Sequence, residues 1–366
     1  MQLYLDANAH LPLSKPAIDA YVRFNDSRAG HGHAMAMSAP GRDASSEIEK
    51  ARTKIASLLG IKSAKQIVFT STCTQACEWA FKIVSNNLPG KNVFMSTMEH
   101  PSVRISARSQ IPGIIDLIPN KEGVISNAVR FEKTDAVICV HVQNEIGTIQ
   151  PITDWHPGLF FCDISQSVGK LPIDLSRMSN IDIAVFGSHK FGGPPSVGIL
   201  YLKDPNMWEE FGYGSRYYFD RSGTPDGASI VSAAAALEHA IKSLSGRYSN
   251  MLEFRDVFEL GLSDMGWKVI GNGGQRIPNT SFFRVPKGMA RHLLAQLSSE
   301  GIYVGLGSAC GSNHRGPSPL MGSLGYGGGA NDYMRVSQFG EYGVREARVL
   351  LAKLRRYAPS KVGEIP

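Results

Sequence analysis

Residues 184–198 read AVFGSHKFGGPPSVG. Lys190 follows an apolar run with the look of a buried strand, stands beside Ser188 and His189, and precedes Gly-Gly-Pro-Pro. A lysine ordinarily belongs on a solvated face, where its charge costs nothing. In this setting it reads as a lysine held at the end of a strand and pointed at something.

Similar apolar, β-branched runs recur along the first part of the chain. Gln66–Thr70, Asn92–Ser96, Ala136–Val142, Leu159–Cys162, Ile181–Phe186 and Val197–Leu202 are predicted strands. Between Asp43 and Leu59 apolar residues recur at helical spacing, and Thr74–Val84 predicts a helix after the first strand. Strands that are continuously apolar rather than alternating imply a sheet covered on both faces. The expected class is α/β with a mostly parallel sheet. A second part begins near Gly227, with helices over Ala228–Leu244, Tyr248–Met265 and Ala290–Glu300 and strands over Thr280–Val285 and Ile302–Val304. Gly305–Gly329 is rich in glycine and proline and reads as a functional loop. A closing helix is predicted over Val344–Arg356.

A chain of 366 residues exceeds one small core and implies a large domain with a smaller companion. Hydrophobic content of 43% and charged content of 19% are those of a soluble globular protein. The net charge of +6 includes no Lys/Arg block, so no direct nucleic-acid partner is expected. The start, MQLYLDANAHLPLS, lacks the pattern of a signal peptide, and no stretch reaches the length of a membrane span. Five cysteines without a spaced framework predict free thiols in a reducing, cytoplasmic setting. Cys73 and Cys77 are four apart but have no second ligand pair, so no metal site is expected.

In open α/β sheets ligands sit beyond the carboxyl ends of the strands. After the first strand comes Ser71-Thr72-Cys73-Thr74 at a helix start, which offers N–H groups and hydroxyls to an anion. The next strand ends supply Glu99-His100, then Gln143-Asn144-Glu145, then Asp163 and Gln166, then Ser188-His189-Lys190. Each has a bland reading as a helix cap, a turn former or a surface residue. Five strand ends rich in polar groups are harder to dismiss than one. Pyridoxal phosphate needs a lysine for a Schiff base, an acid to keep its ring nitrogen protonated, and an anion cradle. The glycine runs follow no strand and open no βαβ unit, so a nucleotide fold is disfavoured.

VQNEIGTIQPI, CDISQSVGKLPIDL, FGSHKFGGP, RSGTPD, NTSFF, GSACGS and MRVSQFGE occur in this order. With YLDANAHLP at the start and FTSTCTQA near position 70, they resemble the cysteine desulfurases, pyridoxal-phosphate enzymes of the class V aminotransferase family. The resemblance implies a type I fold of the pyridoxal-phosphate-dependent transferases. Its large cofactor-binding domain, 13–235, would hold a mostly parallel seven-stranded sheet. A smaller α+β domain, 1–12 and 236–366, would carry a mobile cysteine loop at about 305–329. By the same resemblance Lys190 would hold the cofactor as a Schiff base, Asp163 would pair with the ring nitrogen, and Gln166 would bond the phenolic oxygen. His100 would stack on the ring. Cys73, Thr74, Ser188 and His189 would hold the phosphate. Thr224 would reach the phosphate of a neighbouring subunit's cofactor, which implies a homodimer. Asn144 and Arg335 would hold the substrate carboxylate. Cys310 would attack the sulfur of L-cysteine, keep it as a persulfide, release alanine and pass the sulfur to an acceptor protein.

The chain departs from the family pattern in several places. His10-Leu11 stand for a pair of threonines, and GHGHAMAMSAPGR, with His31 and His33, replaces an Asn-Pro-Ser segment. Gly187 replaces a hydroxyl residue, Cys73 a small one and Gln75 an acidic one, and His314 and Arg315 follow Cys310. The same residues would also serve a selenocysteine lyase or another class V lyase or transaminase. A catalytically inactive scaffold is the remaining alternative, against which Lys190, Asp163, His100, Cys310 and Arg335 all stand.

Overall fold

The computed structural model describes residues 2–90, 92–209, 224–307 and 319–358. Eleven strands are present among these: β1 Leu3–Leu5, β2 Ile67–Thr70, β3 Asn92–Ser96, β4 Ile115–Leu117, β5 Asp135–Ile138, β6 Leu159–Asp163, β7 Ile183–Gly187, β8 Gly198–Leu202, β9 Thr280–Arg284, β10 Ile302–Val304 and β11 Tyr333–Ser337. Seven of them form one sheet in the order β2-β8-β7-β6-β5-β3-β4. β8 runs antiparallel to both its neighbours, and the other pairs are parallel. Every residue of β2, β5, β6, β7 and β8 is buried, as continuous apolar runs require in a sheet covered on both faces.

Neighbouring residues on a strand point to opposite faces, and the two faces have separate cores. Phe69, Val137, Phe160 and Phe186 pack with the helices Ala39–Leu58 and Gly227–Lys242. Val68, Ile138, Phe161 and Val185 pack on the other side with the helices Cys73–Asn86 and Pro101–Gln110. A third core lies around β1, β9, β10 and β11 and the helices Leu244–Asp264, Ala290–Ser299 and Val344–Tyr357. There β1 pairs in parallel with β10, and β9 pairs antiparallel with β11. No helix of the described residues is long and apolar enough to cross a membrane.

The sequence reading differs from this architecture in places. The predicted strand Ala136–Val142 is regular strand only over β5; beyond Ile138 the N–H groups of Cys139 and His141 still donate to Phe161 O and Asp163 O of β6, whereas His141 O and Gln143 N–H turn to the loop at Gln150 and Thr148. The short strands β1, β4 and β11 and the helices Lys15–Asp26 and Pro101–Gln110 were not anticipated. Gly305–Gly329 is not a single irregular loop: Pro319–Ser323 is helical, and Leu320, Met321 and Leu324 are buried in the large core. Three apolar side chains in five positions give that segment enough buried surface to anchor it.

Gly198 opens β8 opposite Gly187. A Cβ there would lie 2.3 Å from the carbonyl carbon and oxygen of Thr72, the residue that caps the helix Cys73–Asn86. Backbone cannot yield as a side-chain tip can, so Gly198→Ala should destabilise the protein by about 1–3 kcal/mol through overpacking. Thermal unfolding followed by circular dichroism measures this, and an unchanged midpoint would contradict it.

Candidate active site

The strands β3, β5, β6 and β7 deliver their carboxyl ends to one cavity of about 310 Å³. That volume lies at the lower end of the ~300–1,000 Å³ typical of small-molecule sites. Thr72, Cys73 and Thr74 form one wall. Their placement follows from the helix cap, in which Thr72 Oγ1 accepts the N–H of Gln75 at 3.1 Å. His100 lies at the start of the next helix, where its Nδ1 accepts the N–H of Ser102 at 3.2 Å. A backbone N–H can only donate, so a neutral His100 ring carries its proton on Nε2. Burial lowers the pKa of this imidazole, with Lys190 and Arg104 also acting to lower it and Asp163 acting to raise it.

Asp163 ends β6 with 6% exposure, its Oδ1 accepting the N–H of Ser165 at 2.9 Å. Lys190 follows β7 in a short 3₁₀ turn, Ser188–Lys190. Its Nζ donates to the carbonyls of Asn8 and Ala9, both at 2.8 Å. His189 also faces the cavity, and its pKa is pushed down to about 3 by burial first and then by Lys190, His10 and other cations. Gln166 donates to Asn8 O at 3.0 Å and accepts from the buried ammonium of Lys170. Burial also drives Lys170 well below the usual lysine range. Arg335, from β11, and Asn144 complete the far side.

Of the residues singled out in the sequence, the cavity gathers Cys73, Thr74, His100, Asn144, Asp163, Gln166, His189, Lys190 and Arg335. Ser188 is not in its lining: the side chain is fully buried and its hydroxyl donates to Pro194 O. Thr224 lies elsewhere on the chain, beside the segment Phe24–Ala34, with its Oγ1 3.1 Å from His33 Nε2. Cys310 lies outside the described residues. The cavity also takes in Asn8, Ala9, Ser102 and Ser165, to which the sequence reading gave no role. Asn8 and Ala9 contribute through backbone carbonyls to residues more than 150 positions away, which leaves no local pattern, whereas Ser102 and Ser165 bond His100 and Asp163 two positions before them. The one available signal was the motif YLDANAHLP itself.

The class V aminotransferase family matches residues 3–347, and the chain belongs to that family. It is 30% identical over 344 residues to the cysteine desulfurase IscS of Dictyoglomus turgidum, covering 88% of this chain and 86% of that one. The corresponding protein of Vibrio campbellii is 31% identical over 392 residues, covering 98% and 95%. Among solved structures, a NifS-like protein superposes with a TM-score of 0.83 at 26% identity, over 97% of this chain and 99% of the other. The seven-stranded, mostly parallel sheet with its smaller companion core is the fold that these proteins share, as the sequence implied.

Glu99 sits beneath the site with a buried side chain; Oε1 accepts Val140 N–H at 2.6 Å and Oε2 has no partner. Burial first, then the charge of Asp163, raises its carboxyl well above the ordinary 4.5. The folded protein therefore keeps a proton that the unfolded chain releases near pH 4.5, and this contribution to stability is lost as pH rises through the folded-state value. Glu99→Gln should flatten the fall in melting temperature as pH rises from 4.5, the unfolded-chain value, through the folded-state value. Parallel slopes for parent and variant over that range would refute the assignment.

Proposed function

We propose that this chain is a pyridoxal-phosphate-dependent cysteine desulfurase, with the juxtaposition of Lys190, Asp163 and His100 around one cavity as the observation that carries the reading. The residues present fit the cofactor. The lining holds an amine, a buried carboxylate and an imidazole, and a capped helix start bears Cys73 and Thr74. Gly187 suits the tight approach: a Cβ there would lie 3.3 Å from that of Cys73.

When bound, pyridoxal phosphate supplies an electron sink for the carbon beside the substrate's amine. Lys190 Nζ is the group that would hold it covalently and, once released, move the proton at the substrate's α-carbon. Asp163 would keep the ring nitrogen protonated. The N–H groups at Cys73 and Thr74, with the helix start behind them, would hold the phosphate. His100 would stack on the ring with its Nε2 proton available to the reacting atoms. Arg335 and Asn144 would bind the substrate's carboxylate.

The sulfur-accepting group must be an accessible thiolate. Cys77, Cys139 and Cys162 are buried, and their thiols are raised well above the ordinary value, by burial in Cys139 and Cys162 and by contact with Cys73 and burial in Cys77. That leaves Cys73 at the cavity wall and Cys310. The resemblance assigns the role to Cys310, whose thiolate would attack the sulfur of L-cysteine. An S–S bond forms, the C–S bond breaks, and the electron pair left on carbon ends as a C–H bond of alanine. The persulfide then passes its outer sulfur to an acceptor.

The working unit is a homodimer. Ile18, Tyr21 and Val22 form an exposed apolar row at helical spacing, and Leu13, Met35 and Met37 are also exposed. Thr224 lies against the same region, where it would serve a second copy's phosphate.

Lys190→Ala should abolish the visible absorbance of the bound cofactor. Cys310→Ser should keep that absorbance but yield no protein persulfide with L-cysteine, whereas Cys73→Ser should still form it. Persulfide on the Cys310→Ser protein at the parent's level would sink the mechanism. Sedimentation velocity of the holoenzyme should give a dimer, and a monomer at micromolar concentration would remove Thr224 from the site.

A further inference from the structure

Arg335 is 1% exposed, yet part of its guanidinium has no protein partner. Nη1 donates to Asn144 O at 3.1 Å and Nη2 to the Asp6 carboxylate at 2.6 Å, while Nε is buried without a hydrogen bond. An orphaned buried donor carries the full cost of its desolvation. It does so here on a residue that lines the cavity.

Asp6 arrives from the far end of the sequence. It follows β1, and its bridge to Ser337 sets it alongside β11. Gly305 closes the arrangement. Its N–H donates to Arg335 O at 2.9 Å, and its carbonyl accepts the Arg335 N–H at 2.7 Å. A Cβ on Gly305 would lie 2.7 Å from Asp6 Oδ1 and 3.2 Å from Arg335 Nη2. Only a residue without a side chain lets the ion pair lie flat against this strand.

We propose that Asp6 is the positioning residue for carboxylate recognition: by holding Nη2 it fixes the guanidinium of Arg335 so that Nε is presented to the α-carboxylate of the amino-acid substrate. This rests on the reading of Arg335 as that carboxylate's partner. Two effects of Asp6 oppose each other. Its negative charge works against an incoming anion, whereas its grip removes the rotational freedom that a long arginine side chain would otherwise lose on binding. Burial decides between them, because a buried guanidinium without its counter-ion reorganises rather than waiting in place.

The test uses the holoenzyme and L-alanine, which carries the carboxylate and the amine without the sulfur. Calorimetry should give a dissociation constant raised ~tenfold in Asp6→Asn and within ~threefold of the parent in Asp6→Glu, as for loss and retention of one charge-assisted contact. Affinity for pyridoxal phosphate should stay within ~twofold in both, because Asp6 does not reach the cofactor wall. Gly305→Ala, whose Cβ presses on the Asp6 carboxylate first and on Arg335 Nη2 second, should weaken L-alanine binding in the same direction and covers the case that Asp6→Asn does not fold. L-alanine binding unchanged or tighter in Asp6→Asn, with Arg335→Ala markedly weaker, overturns the inference. So does parallel loss of cofactor and L-alanine affinity, which would make Asp6 a general prop of the fold. If Arg335→Ala leaves L-alanine binding intact, the carboxylate reading has failed, and the inference falls with it.

Discussion

The cavity depends on a single asparagine near the start of the chain. Asn8 is 3% exposed, and every hydrogen-bonding group it owns is used. Its Nδ2 donates to Asn144 O and Thr280 Oγ1, and its Oδ1 accepts from Lys170 and Asn279. Its N–H donates to Ser337 Oγ, and its carbonyl accepts from both Gln166 and Lys190. These partners come from the segments that follow β5, β6 and β7 of the large sheet, from β9 and the residue before it, and from β11. A buried amide with all its capacity engaged permits one arrangement of its neighbours, because any shift leaves a polar group unpaired at a cost of ~1–3 kcal/mol. Asn8 therefore fixes how the two layers meet.

The groups that meet there are mostly basic. Lys190 and Arg335 line the cavity near Lys170, whose charged form burial disfavours, and three imidazoles whose pKa values burial lowers, those of His100, His141 and His189. Two carboxyls lie close by. Burial raises the Glu99 carboxyl well above its ordinary range. Asp163, on the cavity wall, accepts the backbone N–H of Ser165. The outcome is a cavity that favours anions while keeping one acid on its wall, which is the demand made by a phosphorylated pyridine and an amino-acid carboxylate.

Much of this could be read from the chain. The continuously apolar runs located β2, β6, β7 and β8 because a doubly covered sheet leaves no alternation to obscure them. The polar residues at the carboxyl ends of the predicted strands then pointed to His100, Asn144, Asp163, Gln166 and Lys190, all of which line the cavity. β1, β4 and β10 have three residues each, too few to show a period, and only β10 was anticipated. Asp6 and Asn8 lie more than a hundred residues from most of their partners, and such contacts leave no trace in local spacing. The buried helix at Pro319–Ser323 was masked by the glycines and prolines around it.

The division of labour between the cores has a mechanical consequence. The groups assigned to the cofactor sit on the large sheet, whereas Arg335 sits on β11 with its backbone bonded to Gly305. From Gly305 the chain runs on toward Cys310. β11, which carries Arg335, and the segment at Gly305 are thus one hydrogen-bonded unit, tied to groups around the large sheet by bonds that include those of Asp6, Asn8 and Ala9 and that of Arg335 to Asn144. Displacing Arg335 must strain the Gly305 backbone bonds, and displacing Gly305 must press on Asp6. A shift of the Arg335 guanidinium and a shift of the Gly305 backbone are therefore linked by contacts a few ångströms long, with no need for a movement that spans the domain.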